Sequence, residues 1–241
     1  MQETMKKPRA LDLFCCAGGA TKGLQRAGFH VTGVDIKPQP RYCGDAFIQR
    51  DVLTLLPFSE MAEFDFIWAS PPCQAFTAMR FMPDAKDHPN LIPETRALLI
   101  DCGRPYAIEN VEGAPLGASG HLIMLCGTMF GLKTPDGRAE LRRHRLFETS
   151  FSIPLRPACN HGSRVLGVYG GHLRDRCRAI TVTGGTPQTN TVRNRVRETF
   201  SIEEARFAMG IDWMPMSALS QAIPPAYSEF IGRQVLEYAS R

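Results

Sequence analysis

Several short stretches carry residue types able to do covalent chemistry. Ala69-Ser70-Pro71-Pro72-Cys73-Gln74 sets a thiol just after the apolar run Phe64 to Trp68. That run reads as a buried strand, and the two prolines end it and stiffen the loop, holding Cys73 at a strand's carboxyl end. A cysteine in a rigid, partly exposed loop can act as a nucleophile, whereas one inside a strand usually only fills space. Tyr106-Ala107-Ile108 reads as another strand and delivers Glu109-Asn110-Val111. A carboxylate there would share the Cys73 edge of the sheet; a plain strand-ending Glu with Asn110 in turn chemistry is the other reading. Arg142-Arg143-His144-Arg145 precedes a further strand, and the spacing of Arg143 and Arg145 directs them to the same side.

These groups need elements to position them. Residues 10–14 read as a strand, followed by Cys15-Cys16-Ala17-Gly18-Gly19-Ala20, a helix from Thr21 to Ala27, and a second strand closing on Asp35. A strand, glycine turn, helix and strand ending in an acid is the arrangement that holds a nucleoside-containing cofactor: the glycines let backbone approach the ligand and the carboxylate bonds ribose hydroxyls. The turn lacks the spacing of a phosphate-cradling loop, which argues against ATP. Phe47 to Leu53 looks like a third strand end carrying Asp51, either an acceptor for an adenine amino group or a helix N-cap. In open α/β sheets ligands bind at the carboxyl ends of the strands.

Residues 75–90 form a polar loop suited to a lid, and Pro93 to Cys102 an amphipathic helix ended by Gly103. Leu122 to Cys126 reads as a strand, Ser201 to Met209 as a helix with Ser201 as N-cap, and Ala222-Ile223-Pro224-Pro225 as the start of a last helix through Tyr238. The whole is 241 residues with 44% hydrophobic and 22% charged content, an ordinary globular composition. No apolar run reaches membrane-span length and the start lacks a signal peptide's apolar segment, so an intracellular location is expected, and the small size of the chain suits a prokaryotic or phage setting. The eight cysteines lack paired CxxC spacing, so reduced thiols are expected. Net charge is only +4, but the span from Arg138 to Arg197 is arginine-rich with no lysine and few acids, which points to a polyanionic partner.

In this order the features resemble the DNA cytosine C5-methyltransferase family. Asp12-Leu13-Phe14-Cys15-Cys16-Ala17-Gly18-Gly19 is similar to its cofactor loop and Pro71-Pro72-Cys73-Gln74 to its nucleophile loop. Glu109-Asn110-Val111 and Arg143-His144-Arg145 resemble its Glu-Asn-Val and Arg-x-Arg motifs. The stretch from Glu204 to Ile211 resembles the segment after the recognition domain, and Gln221 to Pro225 the final cofactor-side motif. The chain departs from the pattern with Cys16 where Gly is usual, Asp35 for Glu, Leu141 for Gln and Gln221 for Asn.

The resemblance implies a fold, a cofactor and a mechanism. The fold is α/β, a Rossmann-like S-adenosylmethionine-dependent methyltransferase sheet with helices on both faces plus a small irregular or β-rich insert. Residues 1–150 and 201–241 would form the catalytic, cofactor-binding domain and 151–200 a small target-recognition lobe. A Cys73 thiolate would add to C6 of cytosine, Glu109 would bond the N3 and amino edge, and Arg143 and Arg145 would position the base, lower the thiol pKa and anchor the loop. S-adenosylmethionine would lie against Phe14, Cys16, Ala17, Gly18 and Gly19, with Asp35 on the ribose, Asp51 on the adenine, and Ile36, Val52, Pro72, Gln221 and Ala222 completing the contacts. The substrate would be a cytosine flipped from double-stranded DNA, and the short recognition lobe implies a short or relaxed target. No obligate protein partner is implied and a monomer is expected. An RNA (transfer-RNA) cytosine C5-methyltransferase, an amino-group DNA methyltransferase and a non-catalytic nucleic-acid-binding relative remain as alternatives. Cys159, His161, His172 and Cys177 could ligate zinc, but their spacing fits no standard knuckle, so they are read as ordinary surface and core residues and no metal is expected.

Overall fold

A computed structural model of the chain describes residues 6–54, 58–77, 87–154, 156–162, 164–168, 179–180 and 199–239. Most of the expected lid loop and much of the 151–200 segment, with His172 and Cys177, lie outside these residues. In chain order the elements are β1 (Arg9–Leu13), α1 (Gly19–Ala27), β2 (His30–Asp35), β3 (Ala46–Gln49), α2 (Phe58–Met61), β4 (Phe66–Ala69), α3 (Ile92–Cys102), β5 (Tyr106–Asn110), β6 (His121–Leu125), β7 (Ala139–Leu141), β8 (Arg145–Thr149), β9 (Arg164–Leu166), β10 (Ala179–Ile180), β11 (Thr199–Phe200), α4 (Ile202–Met209), α5 (Met216–Leu219) and α6 (Pro225–Ala239). They fall into two compact units. One comprises Met1–Leu125, His144–Arg156 and Ile223–Arg241; the other comprises Cys126–Arg143 and Pro157–Ala222.

The first unit is the expected α/β sheet with helices on both faces. Its seven strands run in the order β3-β2-β1-β4-β5-β8-β6. The β1–β2, β2–β3, β1–β4 and β4–β5 pairs are parallel, while β8 lies antiparallel to both β5 and β6. Alternation along the strands explains the two covered faces. Leu11, Leu13, Ile67, Ala69 and Ile108 cluster with Met61, Phe64 and Leu99, which brings α2 and α3 to one face. On the other, Trp68 packs on Phe147 and Phe147 on Tyr227 of α6 with ring centroids 5.6 and 6.1 Å apart. A side chain on Gly23 of α1 would meet the Pro225 carbonyl at 2.0 Å and Ser228 Oγ at 2.1 Å, so only glycine lets α1 lie this close to α6. Ser228 Oγ uses that closeness to donate to the Ala20 carbonyl at 2.8 Å.

A buried ion pair holds α3 against β8. Arg96 Nε and Glu148 Oε1 are 2.8 Å apart, and the Glu148 side chain is buried. Burial works against its charge, but the Arg96 guanidinium and the Gly117 and Ala118 amides outweigh that and hold the carboxyl below its ordinary value.

In the second unit β7 and β9 pair in parallel and β10 and β11 antiparallel. Ser201 caps α4 as its sequence suggests: its hydroxyl accepts from the Glu204 amide at 3.1 Å and Glu204 Oε2 accepts from the Ser201 amide at 2.7 Å. The last helix of the first unit starts at Pro225 rather than Ala222, because Ile223 and Pro224 each precede a proline and are pushed out of helical geometry.

Candidate active site

The sheet order reverses at β1, whose neighbours are β2 on one side and β4 on the other. Ligands in open α/β sheets bind at such a switch point, in the crevice outside the strands' carboxyl ends. The loops after β1 and β4 are the two stretches that the sequence singles out, and Ser70 N donates to the Leu13 carbonyl at 3.1 Å, tying one loop's root to the other.

The β1 loop is built on left-handed backbone. Phe14, Cys16 and Gly18 have φ of 59°, 46° and 88°. Two of the three are not glycine, and this conformation costs an L-residue about 1–2 kcal/mol. At Gly18 a Cβ would also press on Cys43 Sγ at 2.7 Å, so the position demands glycine twice over. Asp35, at the end of β2, accepts from the Cys16 amide at 3.0 Å and from the Lys37 amide at 2.9 Å. A carboxylate has about four acceptor sites, so the oxygens of Asp35 retain capacity for two hydroxyls. Ile36 beside it is 62% exposed, a large apolar side chain with a face to offer a flat ring. Asp51 Oδ1 accepts from the Leu53 amide at 3.0 Å, the local capping contact; Val52 is buried.

The β4 loop is fastened at both ends. Trp68 Nε1 donates to Ser70 Oγ at 2.9 Å. Past the strand, Asn110 Nδ2 donates to the Pro71 carbonyl at 2.9 Å, a buried bond from the end of β5. Pro72 and Cys73 follow, both half-buried, and Phe76 N donates back to the Cys73 carbonyl at 2.9 Å. Glu109, one residue before Asn110, pairs with Arg145 of β8, with Nε and Oε1 3.0 Å apart and side chains only 12% and 9% exposed. The antiparallel β5–β8 register sets this up by placing Glu109 opposite Phe147 and Asn110 opposite Leu146.

Cys15, Cys16 and Cys43, near the β1 loop, are poor nucleophiles. Burial pushes the Cys15 thiol far up, desolvation and then Asp35 push Cys16 to about 12, and burial pushes Cys43 to about 11.

The remaining candidates belong to the second unit. Arg143, 1% exposed, donates from Nη1 to the Val168 carbonyl at 2.6 Å and from Nη2 to the Ser220 and Ala222 carbonyls at 2.8 and 2.7 Å. Its guanidinium therefore gathers the chain around Ala222 and Val168, while Arg145 pairs with a carboxylate; the two arginines have separate partners. Gln221 is exposed and donates from Nε2 to the Ser217 carbonyl at 3.3 Å.

Two groups escape a reading of the sequence. Asn110 enters there as a turn residue or as the middle of the Glu-Asn-Val stretch, with no role of its own, and its tie to Pro71 depends on β5 lying beside β4. Asp12, fully buried, accepts from the Thr21 hydroxyl at 2.5 Å, while its Oδ1 has no hydrogen-bond partner among the described residues. Burial raises its carboxyl to about 7. A lone Asp in an apolar strand next to a glycine turn is the signal that could have found it.

The fold is that of the Rossmann-like methyltransferases. The model of the C-5 cytosine-specific DNA methylase family matches residues 9–114 of the chain. It includes β1 to β5 and the Cys73 and Glu109 stretches. Two solved structures share the fold over nearly the whole length. One is assigned as a DNA modification methyltransferase encoded within a prophage of E. coli, with 14% identity, a TM-score of 0.58, and coverage of 97% of this chain and 100% of the other. The other is the Entamoeba histolytica methyltransferase EhMeth, with 10% identity, a TM-score of 0.55, and coverage of 98% and 100%. No curated protein matches the sequence. No described helix is long and apolar enough to cross a membrane.

Proposed function

We propose that the chain transfers a methyl group from S-adenosylmethionine to C5 of cytosine in double-stranded DNA, through a covalent adduct on Cys73 and a base turned out of the duplex. The observation that carries this is the fastening of the Pro-Pro-Cys loop by Asn110 to the strand that bears Glu109, itself held by Arg145.

S-adenosylmethionine supplies an electrophilic methyl group when bound. The residues at the switch point suit it: Asp35 retains acceptor capacity for a ribose, Ile36 offers an apolar face, and the β1 loop presents backbone without bulky side chains at Ala17, Gly18 and Gly19. Phe14, Cys16, Asp51, Val52 and Pro72 complete the proposed contacts.

Cytosine is unreactive at C5 because its ring is electron-poor. The Cys73 thiolate would form a bond to C6 and push the ring electrons to C5, which would accept the methyl group as the sulfonium sulfur keeps the electron pair of the broken S–CH3 bond. Glu109 holds the N3 and amino edge and the proton that neutralises charge on the ring as sulfur adds. Arg145 fixes Glu109 in place, and Arg143 holds backbone rather than the base. Water removes the C5 proton, the electrons return to expel sulfur from C6, and the thiolate is regenerated. Reaching the base costs a few kcal/mol of unstacking. The short span between Arg145 and Ser201 leaves little surface for reading sequence, so the target is short or relaxed.

The test is methyl transfer from labelled S-adenosylmethionine to duplex DNA, with Cys73→Ala alongside and the product base identified after digestion. Label in 5-methylcytosine that disappears in the variant is expected. Label in an amino-methylated base would replace the chemistry, and label in transfer RNA alone would replace the substrate. A folded protein transferring to neither would make it a non-catalytic binder.

A further inference from the structure

Three side chains of the second unit converge on a point that the methyl-transfer chemistry does not use. Cys126 opens the unit's first chain segment and is fully buried; Cys159 and His161 lie near the start of its second segment. His161 Nε2 is 3.5 Å from Cys126 Sγ and 2.6 Å from Cys159 Sγ, and the three donor atoms all lie within 4.8 Å of one another. Neither cysteine is in a disulfide.

We propose that Cys126, Cys159 and His161 are ligands of a structural zinc ion. Two sulfurs and an imidazole nitrogen are the donor set that selects zinc among the common divalent metals. With Zn–S near 2.3 Å and Zn–N near 2.0 Å, a tetrahedral site separates sulfur from nitrogen by about 3.6 Å. The Cys126–His161 separation already matches, and the Cys159–His161 contact opens by about 1 Å on binding. The fourth place is filled by a further donor or by water.

The surroundings fit a metal better than a chance meeting of thiols. Thr128 Oγ1 donates to Cys126 Sγ at 3.4 Å and lies 3.6 Å from Cys159 Sγ, so its single proton can support one of the two thiolates from beside the pair. Arg142 Nη2 reaches the His161 carbonyl at 3.4 Å, which helps to place the imidazole. The unit is small and made of two separate chain segments, and the ion would staple one to the other beside the β7–β9 pair. Domains with little core are the ones that depend on such staples. The sequence spacing hides the set because Cys126 lies far upstream of the Cys159-x-His161 pair.

The experiment measures metal content and ligand type on the full chain, expressed with zinc supplied and purified without chelator. About one zinc per chain is expected, with X-ray absorption showing two sulfurs and at least one nitrogen around it. Cobalt(II) exchanged into the wild-type chain should show sulfur-to-cobalt charge-transfer absorption. Cys126→Ser and Cys159→Ser should each lower retained zinc on the order of tenfold or more. Cys102→Ser, a cysteine of α3, should keep the wild-type content. Removing the zinc with a chelator should lower the melting temperature by several degrees. Folded wild-type protein that retains no zinc would overturn the proposal. So would a zinc shell without sulfur, or a Cys126–Cys159 disulfide found by peptide mapping; the absorption measurements need no variant to fold.

Discussion

Asn110 Nδ2 and the carbonyl of Pro71 form a buried hydrogen bond of 2.9 Å across neighbouring strand ends. One side chain therefore fixes the loop that presents Cys73 relative to the strand that presents Glu109. Asn110→Ala removes the donor and leaves the Pro71 carbonyl without it, a loss of about 1–3 kcal/mol. Methyl transfer should fall at least about tenfold at saturating DNA and cofactor, since a misplaced nucleophile costs rate rather than binding. Asn110→Asp should be no better, because a carboxylate cannot donate. Unchanged turnover in either variant would rule out the positioning role.

Glu109 and Arg145 are both largely buried, so removing one strands the other. Arg145→Ala should destabilise the fold by on the order of 3 kcal/mol. Arg145→Ala with Glu109→Gln should be less destabilising than the two single effects summed, because the double variant leaves no unpaired charge. Urea titration of the four proteins checks this. Additive effects would mean that the pair contributes no coupling.

Cys16 has a φ of 46°, and the family resemblance puts glycine there. Cys16→Gly releases left-handed strain of about 1–2 kcal/mol and returns about half a kcal/mol of unfolded-state entropy. The variant should therefore melt higher than wild type. Calorimetric titration with S-adenosylmethionine should show binding as tight or tighter, since the Cys16 amide that donates to Asp35 is kept.

Gly23→Ala tests the α1–α6 contact. Its methyl group would sit 2.0 Å from a backbone carbonyl, which no rotamer change can relieve. A loss of about 3 kcal/mol or more is expected from thermal or urea unfolding, against a smaller loss of about 1–2 kcal/mol for Gly28→Asn, where an added Cβ meets nothing within 4 Å and only the positive φ of 112° is strained.

Asp12 gives a pH signature. Its folded-state carboxyl, at about 7, lies above its ordinary 3.8, so the fold binds this proton more tightly than the unfolded chain does. Its contribution is most favourable below about pH 4, falls as pH rises from there to about 7, and is level above that. Asp12→Asn removes this downward slope. The stability difference, variant minus wild type, should therefore grow across that window, by roughly 1.4 kcal/mol for each step of one in pH. A difference independent of pH would show that Asp12 is not titrating there.

Much of the first unit was legible in sequence because its signals are local. Alternating or continuous apolar runs mark β1, β2, β4 and β5, and Gly103 marks the end of α3; in the second unit, Ser201 with Glu204 marks the start of α4. The proline pair before Cys73 and the glycines after β1 mark the two loops at the switch point. What sequence could not supply is which strand ends lie side by side. The Asn110–Pro71 tie, the use of Arg143 on carbonyls 25 and 79 residues away, and the meeting of Cys126 with Cys159 all arise from tertiary pairing. Asp51 stayed ambiguous for a different reason: one carboxylate oxygen can cap its own turn while the other is left for a ligand.

The Ser228–Ala20 bond spans 208 residues, and β8 must slide in between β5 and β6 after both have left the ribosome. The first helix of this chain is therefore without its packing partner until α6 has been translated. During synthesis the β1–β5 segment exposes the Trp68 face, and the nascent sheet has two open edges. Contacts this distant in sequence close late, so a truncation that removes α6 is expected to leave α1 without the surface it packs on.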